Sequence, residues 1–189
     1  MSRTYVSAAL RQAVVERAAE QCECMRADPA VRVAELLGAR GGTLAVAESS
    51  TGGLILSLLT DVPGASRWLR GGLVAYTNDA KRDLLGVPAA TLSTHGAVSP
   101  ETALEMARRA RRLFGAAWAL GETGVAGPQT GRRSAKPAGL TFLAVVGERD
   151  GQPVERVTRH LLPTPGDRVA TKRAFAEAAL ALLWDELQK

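Results

Sequence analysis

Thr43-Leu-Ala-Val-Ala-Glu-Ser-Ser-Thr-Gly-Gly53 is the stretch on which the fold turns. Thr43 to Ala47 is a short apolar run bounded by glycines and polar residues, the pattern of a buried strand. Gly52 to Leu59 reads as helical, so Glu48 to Thr51 lie where a strand turns into a helix. A serine at such a turn is held at the rim of a sheet, and the backbone N–H groups that open the helix point outward. Donors of that kind hold a phosphate or the oxyanion of a tetrahedral intermediate. The stretch is not a P-loop, because no Gly-Lys-Ser/Thr follows the glycines. It is not the Gly-x-Ser-x-Gly elbow either. Taken alone, Ser-Ser-Thr-Gly-Gly is more commonly an N-cap and a turn than a site.

Outward from this point the chain alternates between short apolar runs and longer amphipathic ones. Upstream, Val6, Leu10, Val14 and Ala18 predict an amphipathic helix over 5–22. Asp28-Pro29 predicts the start of a second helix that stops at Gly41-Gly42. Downstream, Gly72 to Thr77 reads as a second strand and Asn78 to Leu85 as a short helix ended by Gly86. Ser99-Pro100-Glu101 opens a helix to about Phe114. Ala116 to Gly121, Gly139 to Val146 and Val154 to Leu161 read as three further strands, the last two joined as a hairpin across Asp150-Gly151. Gly166-Asp167 opens a final helix to about Leu187. Strands separated by helices predict an α/β layered sandwich with a mixed, mostly parallel sheet. The segment from Gly127 to Pro137, polar and rich in Arg and Gly, is long for a loop in a compact domain.

Composition narrows the class. The chain has 189 residues, 46% hydrophobic and 23% charged, which excludes a disordered or collagen-like protein. No apolar run is long enough to span a bilayer, so no membrane partner is expected. Aromatics are only 4%, so the core rests on Ala, Leu and Val, and few rings are available to stack nucleobases. Cys22 and Cys24 are too close in sequence for an ordinary disulfide, and with only His95 and His160 elsewhere no zinc site is expected. Residues 1–25 lack the apolar core and cleavage site of a secretory signal, which points to the cytoplasm. The net charge of +5 leaves room for an anionic partner without naming one. Arg108, Arg109, Arg111 and Arg112 end a predicted helix, where cations oppose the negative end of the helix dipole. At about 100° per residue they spread around the helix, which argues for a solvated, capping role against a nucleic-acid stripe.

Three further segments carry candidate chemistry. In Tyr76-Thr-Asn-Asp-Ala-Lys81, Tyr76 ends the second strand and Lys81 lies on the next helix, so both are placed to face Ser49. Lysine serves as the base for a serine if burial pulls its pKa down toward neutrality, with a tyrosine hydroxyl beside it to relay the proton. Gly121-Glu-Thr-Gly-Val-Ala-Gly-Pro128 again follows a strand and offers a hydroxyl and backbone donors. In Gly166-Asp-Arg168, Asp167 is placed to cap the last helix and Arg168 to grip an anion. His95, just ahead of the Ser99 cap, reads as a loop hydrogen-bonding residue, and His160 as structural.

Together these pieces resemble one family. Glu48-Ser-Ser-Thr-Gly-Gly53, Pro63-Gly-Ala-Ser66, Tyr76-Thr-Asn-Asp-Ala-Lys81, Leu84-Leu-Gly-Val87, His95-Gly-Ala-Val-Ser99, Thr123-Gly-Val-Ala-Gly-Pro128, Lys136-Pro137 and Gly166-Asp-Arg168 are similar to the CinA C-terminal domain family. The resemblance covers about residues 30–187 and divides the chain into an N-terminal helical extension, 1–30, and a family domain, 31–189. It implies a three-layer α/β/α sandwich that hydrolyses the carboxamide of nicotinamide mononucleotide to nicotinate mononucleotide and ammonia. It further implies Ser49 as nucleophile, Lys81 as base and Tyr76 as its helper, with no metal and no cofactor. Substrate-binding positions implied or adjacent are Ser50, Thr51, Gly52, Gly53, Asn78, Thr123, Gly124 and Arg168, with Arg132 or Arg133 as helpers for the phosphate. The expected partners are a small-molecule ribonucleotide and further copies of the chain in a homo-oligomer.

Two departures from the family pattern stand out. Gln129 to Ala135 is longer and more basic than the glycine-rich turn that family members place before Lys-Pro, which keeps open a silent nucleotide-binding or regulatory homologue. Larger relatives also carry an N-terminal domain resembling molybdopterin-binding proteins, and residues 1–30 are too short for one.

Overall fold

The computed structural model describes residues 28–127, 135–163 and 165–189. The helix expected over 5–22, the Cys22/Cys24 pair and Arg132 and Arg133 lie outside the described residues. Helix α1 (Pro29–Arg40) starts as its sequence dictates, with the Asp28 carboxylate accepting from the Ala30 N–H at 2.8 Å and proline in the first turn. It stops at Gly41, whose φ of 60° is a left-handed conformation that glycine adopts without steric cost. Strand β1 (Leu44–Glu48) and helix α2 (Leu54–Thr60) follow, then a 3₁₀ turn (Ala65–Arg67) and β2 (Leu69–Val74). A π-helical turn (Ala80–Leu84), α3 (Ala89–His95) and α4 (Pro100–Phe114) lead to β3 (Trp118–Val125). The chain closes with β4 (Leu140–Arg149), β5 (Gln152–Leu161) and α5 (Arg168–Gln188).

The sheet has five strands in the order β2-β1-β3-β4-β5. β1 runs parallel to β2 and β3, whereas the β3–β4 and β4–β5 pairings are antiparallel, so the parallel part of this mixed sheet is confined to three strands. The β4–β5 hairpin turns at Asp150 and Gly151 with φ of 51° and 75°, the positive pair that a tight two-residue connection demands.

Strand alternation sorts the core into two layers. Leu44 and Val46, Leu120, and Leu143 and Val145 face α1, α2 and α5. Ala45 and Ala47, Ala119, and Phe142, Ala144 and Val146 face α4. The second face is rich in alanine because α4 lies almost on the strands. A Cβ on Gly121 would sit 2.3 Å from the Ala103 carbonyl and 2.8 Å from the Ala107 nitrogen. Helices on both faces make the three-layer α/β/α sandwich.

The strand bounds differ from the sequence reading, most of all in β2 and β3. β2 spans 69–74 in place of 72–77, because its glycines are needed inside the strand: a Cβ on Gly72 would lie 2.4 Å from the Val46 carbonyl and 2.9 Å from Leu56. Tyr76 and Thr77 therefore fall beyond the strand end. β3 spans 118–125 in place of 116–121, since Glu122 and Thr123 continue the ladder opposite Leu143 and Phe142. Polar side chains had marked these residues as loop, yet the sheet buries them.

Candidate active site

The three parallel strands bring their C-terminal ends to one edge. Ala47 is level with Leu73 on one side and Gly121 on the other, so Ser49, Ala75 and Glu122 converge just beyond. The Ala75 N–H bonds the Glu48 carbonyl at 2.8 Å, which carries the β1–β2 ladder past the end of β2. After Thr77 the chain turns into the π-helical turn, in which the Leu85 N–H reaches back five residues to the Ala80 carbonyl. Such wide turns recur at functional sites because they re-aim a side chain. Here the turn drives Lys81 inward until its side chain is 1% exposed. Its Nζ donates to Ser49 Oγ at 2.6 Å and to the Ala75 carbonyl at 2.7 Å.

Burial disfavours the ammonium form, and the Lys81 pKa falls from 10.5 to about 8, with the nearby Glu122 carboxylate pulling the other way. When the amine loses its proton, an N–H still satisfies Ala75 and the lone pair is left 2.6 Å from the Ser49 hydroxyl. That is the arrangement of a serine with its base.

Two buried carboxylates build the turn that carries Ser49. Glu122, fully buried, accepts from the Ser49 N–H at 3.0 Å, the Thr51 N–H at 3.1 Å and Thr51 Oγ1 at 2.9 Å. Ser50 Oγ donates to its other oxygen, and Thr141 Oγ1 of β4 lies 3.1 Å from the same oxygen. Glu48, also fully buried, accepts from the Gly53, Ile55 and Leu56 N–H groups at 2.8, 3.1 and 2.8 Å. The start of α2 is thus capped by the protein's own carboxylate, and the expectation of free backbone donors around Thr51 to Gly53 is corrected for Thr51 and Gly53, whose N–H groups Glu122 and Glu48 take. Of the turn's N–H groups, those of Ser50 and Gly52 have no acceptor among the described residues.

The remaining candidates divide. Ser50 and Thr51 are buried structural donors to Glu122. Gly124 packs directly against Ser50, since a Cβ there would lie 2.9 Å from Ser50 Oγ. Thr123 is buried and Oγ1 donates to the Ala97 carbonyl at 2.7 Å, which ties the loop before α4 to β3. Among the described residues neither Thr123 nor Tyr76 bonds Ser49 or Lys81.

Tyr76 is 59% exposed, and its hydroxyl accepts from Arg168 Nη2 at 2.8 Å. A proton relay from Tyr76 to Lys81 is therefore corrected to a Tyr76–Arg168 pair on the solvent side, because the strand ends at Val74 and its next residue, Ala75, takes the inward position. Asp167 caps α5 as expected, its carboxylate accepting from the Ala170 N–H at 2.8 Å. Lys172, one turn on, stands over Gly52, with Nζ 3.3 Å from where a Cβ would be. Gly52 (φ 65°) and Gly53 (φ 97°) both take left-handed conformations that the turn requires. Asn78 is exposed at the entry to the π-helical turn.

The arginine run lies in the last turns of α4, beside the start of β3. Arg108 binds Glu105 and Glu155, Arg109 binds Glu105, and Arg111 reaches the Ala117 carbonyl and Glu148. His95 Nδ1 lies 3.6 Å from the Glu101 carboxylate. No helix among the described residues is long and apolar enough to cross a membrane.

The residues that sequence reasoning left without a role are Glu48, Glu122 and Thr141. A signal existed: a carboxylate closing an apolar strand run, as in Leu-Ala-Val-Ala-Glu48 and Ala-Leu-Gly-Glu122, is buried and must be met by donors.

A site of this geometry is held on a scaffold shared with known proteins. The chain is 49% identical over 147 residues to a CinA-like protein of Anaeromyxobacter dehalogenans, a match covering 78% of this chain and 34% of that one. The chain thus spans about a third of the length of that relative. Among solved structures, a competence-damaged protein (CinA) superfamily protein of Klebsiella pneumoniae superposes with a TM-score of 0.76 at 34% identity, over 85% of this chain and 96% of that one. The competence/damage inducible protein CihA of Agrobacterium tumefaciens superposes with a TM-score of 0.73 at 39% identity, over 86% and 96%. The family model described as the CinA C-terminal domain matches residues 26–187, which takes in β1 to α5 and every residue of the Ser49–Lys81 site, and the chain belongs to that family.

Proposed function

We propose that the protein hydrolyses the carboxamide of nicotinamide mononucleotide, giving nicotinate mononucleotide and ammonia. The observation that carries this reading is the buried Lys81 Nζ, 2.6 Å from Ser49 Oγ, on an amine whose pKa is lowered to about 8. Ser49 Oγ attacks the carboxamide carbon as its proton passes to Lys81. The tetrahedral intermediate collapses, and Lys81 returns the proton to the departing nitrogen, which leaves as ammonia. Water then attacks the acyl-enzyme as its proton passes to Lys81, and the second tetrahedral intermediate collapses as Lys81 returns that proton to the departing Ser49 Oγ, freeing the acid, which ionises to the carboxylate. The N–H groups of Ser50 and Gly52 are the turn's remaining donors for the oxyanion, an interaction worth about 3–4 kcal/mol per donor. Arg168, held by Tyr76, and Lys172 over Gly52 supply positive charge beside the site for the ribotide phosphate.

The test is ammonia release from nicotinamide mononucleotide by the wild-type protein and by Ser49→Ala. Activity is expected in the first and a loss of about a thousandfold or more in the second. Full activity in folded Ser49→Ala overturns the serine mechanism. Thermal stabilisation of the wild-type protein by the ribotide without product overturns the hydrolase reading in favour of a binding protein.

A further inference from the structure

Glu122 makes contacts that a merely buried acid would not. Two backbone N–H groups and two hydroxyls, drawn from three successive residues of the nucleophile turn, converge on one carboxylate from the neighbouring strand. The N–H of Ser49 itself is among them. An ionised carboxylate is an acceptor only, with about four lone-pair sites, so this donor set matches the charged form.

The charge also acts on the other half of the pair. Glu122 accepts from the N–H of Ser49, the residue whose hydroxyl takes the Lys81 amine, so its carboxylate stands close to that amine and favours its charged form. Among the described residues none of the other charged groups nearby bonds Ser49 or Lys81. Glu48, at the end of β1, is turned into the start of α2. On α5, Arg168 holds Tyr76 and Lys172 stands over Gly52. Arg82 on the π-helical turn is paired with Asp79 and Asp83 at the surface. From β4 the facing residue is the uncharged Thr141.

We propose that Glu122 is a positioning residue with two effects: its carboxylate pins the turn so that Ser49 meets Lys81, and its negative charge raises the pH at which Lys81 gives up its proton, against the larger and opposite effect of burial. The inference rests on the Ser49–Lys81 reading of the site. Glu122 does not touch the reacting atoms and acts through both of the residues that do. A carboxylate stabilises the ammonium form, so removing its charge lowers the pH at which the free amine appears. At pH 7 a pKa near 8 leaves about one tenth of Lys81 as free amine, and that fraction rises when the charge is lost.

The experiment uses Glu122→Gln, which keeps the shape and removes the charge, and Glu122→Asp, which keeps the charge on a side chain one methylene shorter. With [13C]lysine-labelled protein, the Lys81 Cε resonance is one of four lysine signals and is assigned by its loss in Lys81→Arg. Its titration is followed together with the pH profile of kcat/KM for ammonia release. Glu122→Gln is expected to move the Lys81 titration and the acidic limb of the profile to lower pH by the same amount. Glu122→Asp is expected to leave the limb close to the wild-type position while kcat falls about a hundredfold, the cost of a displaced nucleophile.

An unmoved Lys81 titration in folded Glu122→Gln overturns the charge effect. Wild-type kcat in Glu122→Asp overturns the positioning effect, and decides the matter by itself should Glu122→Gln fail to fold. A shifted Lys81 titration in a protein that releases no ammonia from nicotinamide mononucleotide overturns the proposed substrate and leaves the role of Glu122 standing, because the resonance is read without substrate.

Discussion

Replacing Lys81 by methionine keeps the volume of the side chain and removes the buried amine, so it isolates what that amine does to stability. The folded-state pKa of about 8 lies below the 10.5 of an exposed lysine. Below pH 8 both the folded and unfolded chains hold the proton, and the folded state bears the full cost of burying it. Between pH 8 and 10.5 the folded state has shed the proton while the unfolded state still binds it, so stability rises with pH through that window. At about 1.4 kcal/mol per pH unit the rise amounts to about 3 kcal/mol. Lys81→Met lacks this dependence. It also leaves the Ala75 carbonyl and Ser49 Oγ without their partner, but that loss is the same at every pH and cancels in the comparison. Urea unfolding followed by tryptophan fluorescence at pH 7 and pH 10.5 gives the difference directly. The wild-type protein is expected to gain about 3 kcal/mol on the variant between the two, equivalent to about 6–12 °C in Tm for a chain of this size. Parallel stability curves would show that Lys81 titrates as an exposed lysine does, and the argument for a catalytic base would fall with them.

Further perturbations test the frame and the substrate edge. Gly121→Ala forces a methyl to within 2.3 Å of the Ala103 carbonyl and should lower stability by about 2–3 kcal/mol, or about 5–10 °C in Tm, by scanning calorimetry. Gly38→Ala, where a Cβ meets nothing within 4 Å, is the matching control and should not destabilise. Arg168→Ala should raise KM for the ribotide about ten- to a hundredfold, the worth of a charge-assisted hydrogen bond, while changing kcat far less. An equal loss in kcat would place Arg168 on the reacting carboxamide and not on the phosphate.

Local signals made much of this molecule legible in its sequence. Asp28-Pro29, Ser99-Pro100 and Asp167 start helices because a short acceptor side chain meets an orphan N–H two or three residues on, whatever surrounds it. Leu44 to Ala47 forms a buried strand because no other element suits so short an apolar run, and Asp150-Gly151 turns a hairpin because both positions take positive φ. The pairing of Ser49 with Lys81 was legible from strand ends gathering at one sheet edge and from motif resemblance, and the 2.6 Å contact of Nζ with Oγ brings the two together in space.

Other features depended on residues far apart in the chain. Gly72 is a strand residue because Val46 and Leu56 crowd it and Gly71 because Phe114 does, and Glu122 is a strand residue only because β4 pairs beside it. The exchange of roles between Tyr76, turned outward to Arg168, and Ala75, whose carbonyl holds Lys81, follows from where β2 ends. Local chemistry specified the elements and pointed to the two side chains that meet at the sheet edge. Burial, close approach and the burden of satisfying two enclosed carboxylates are long-range quantities, and only the folded chain decided them.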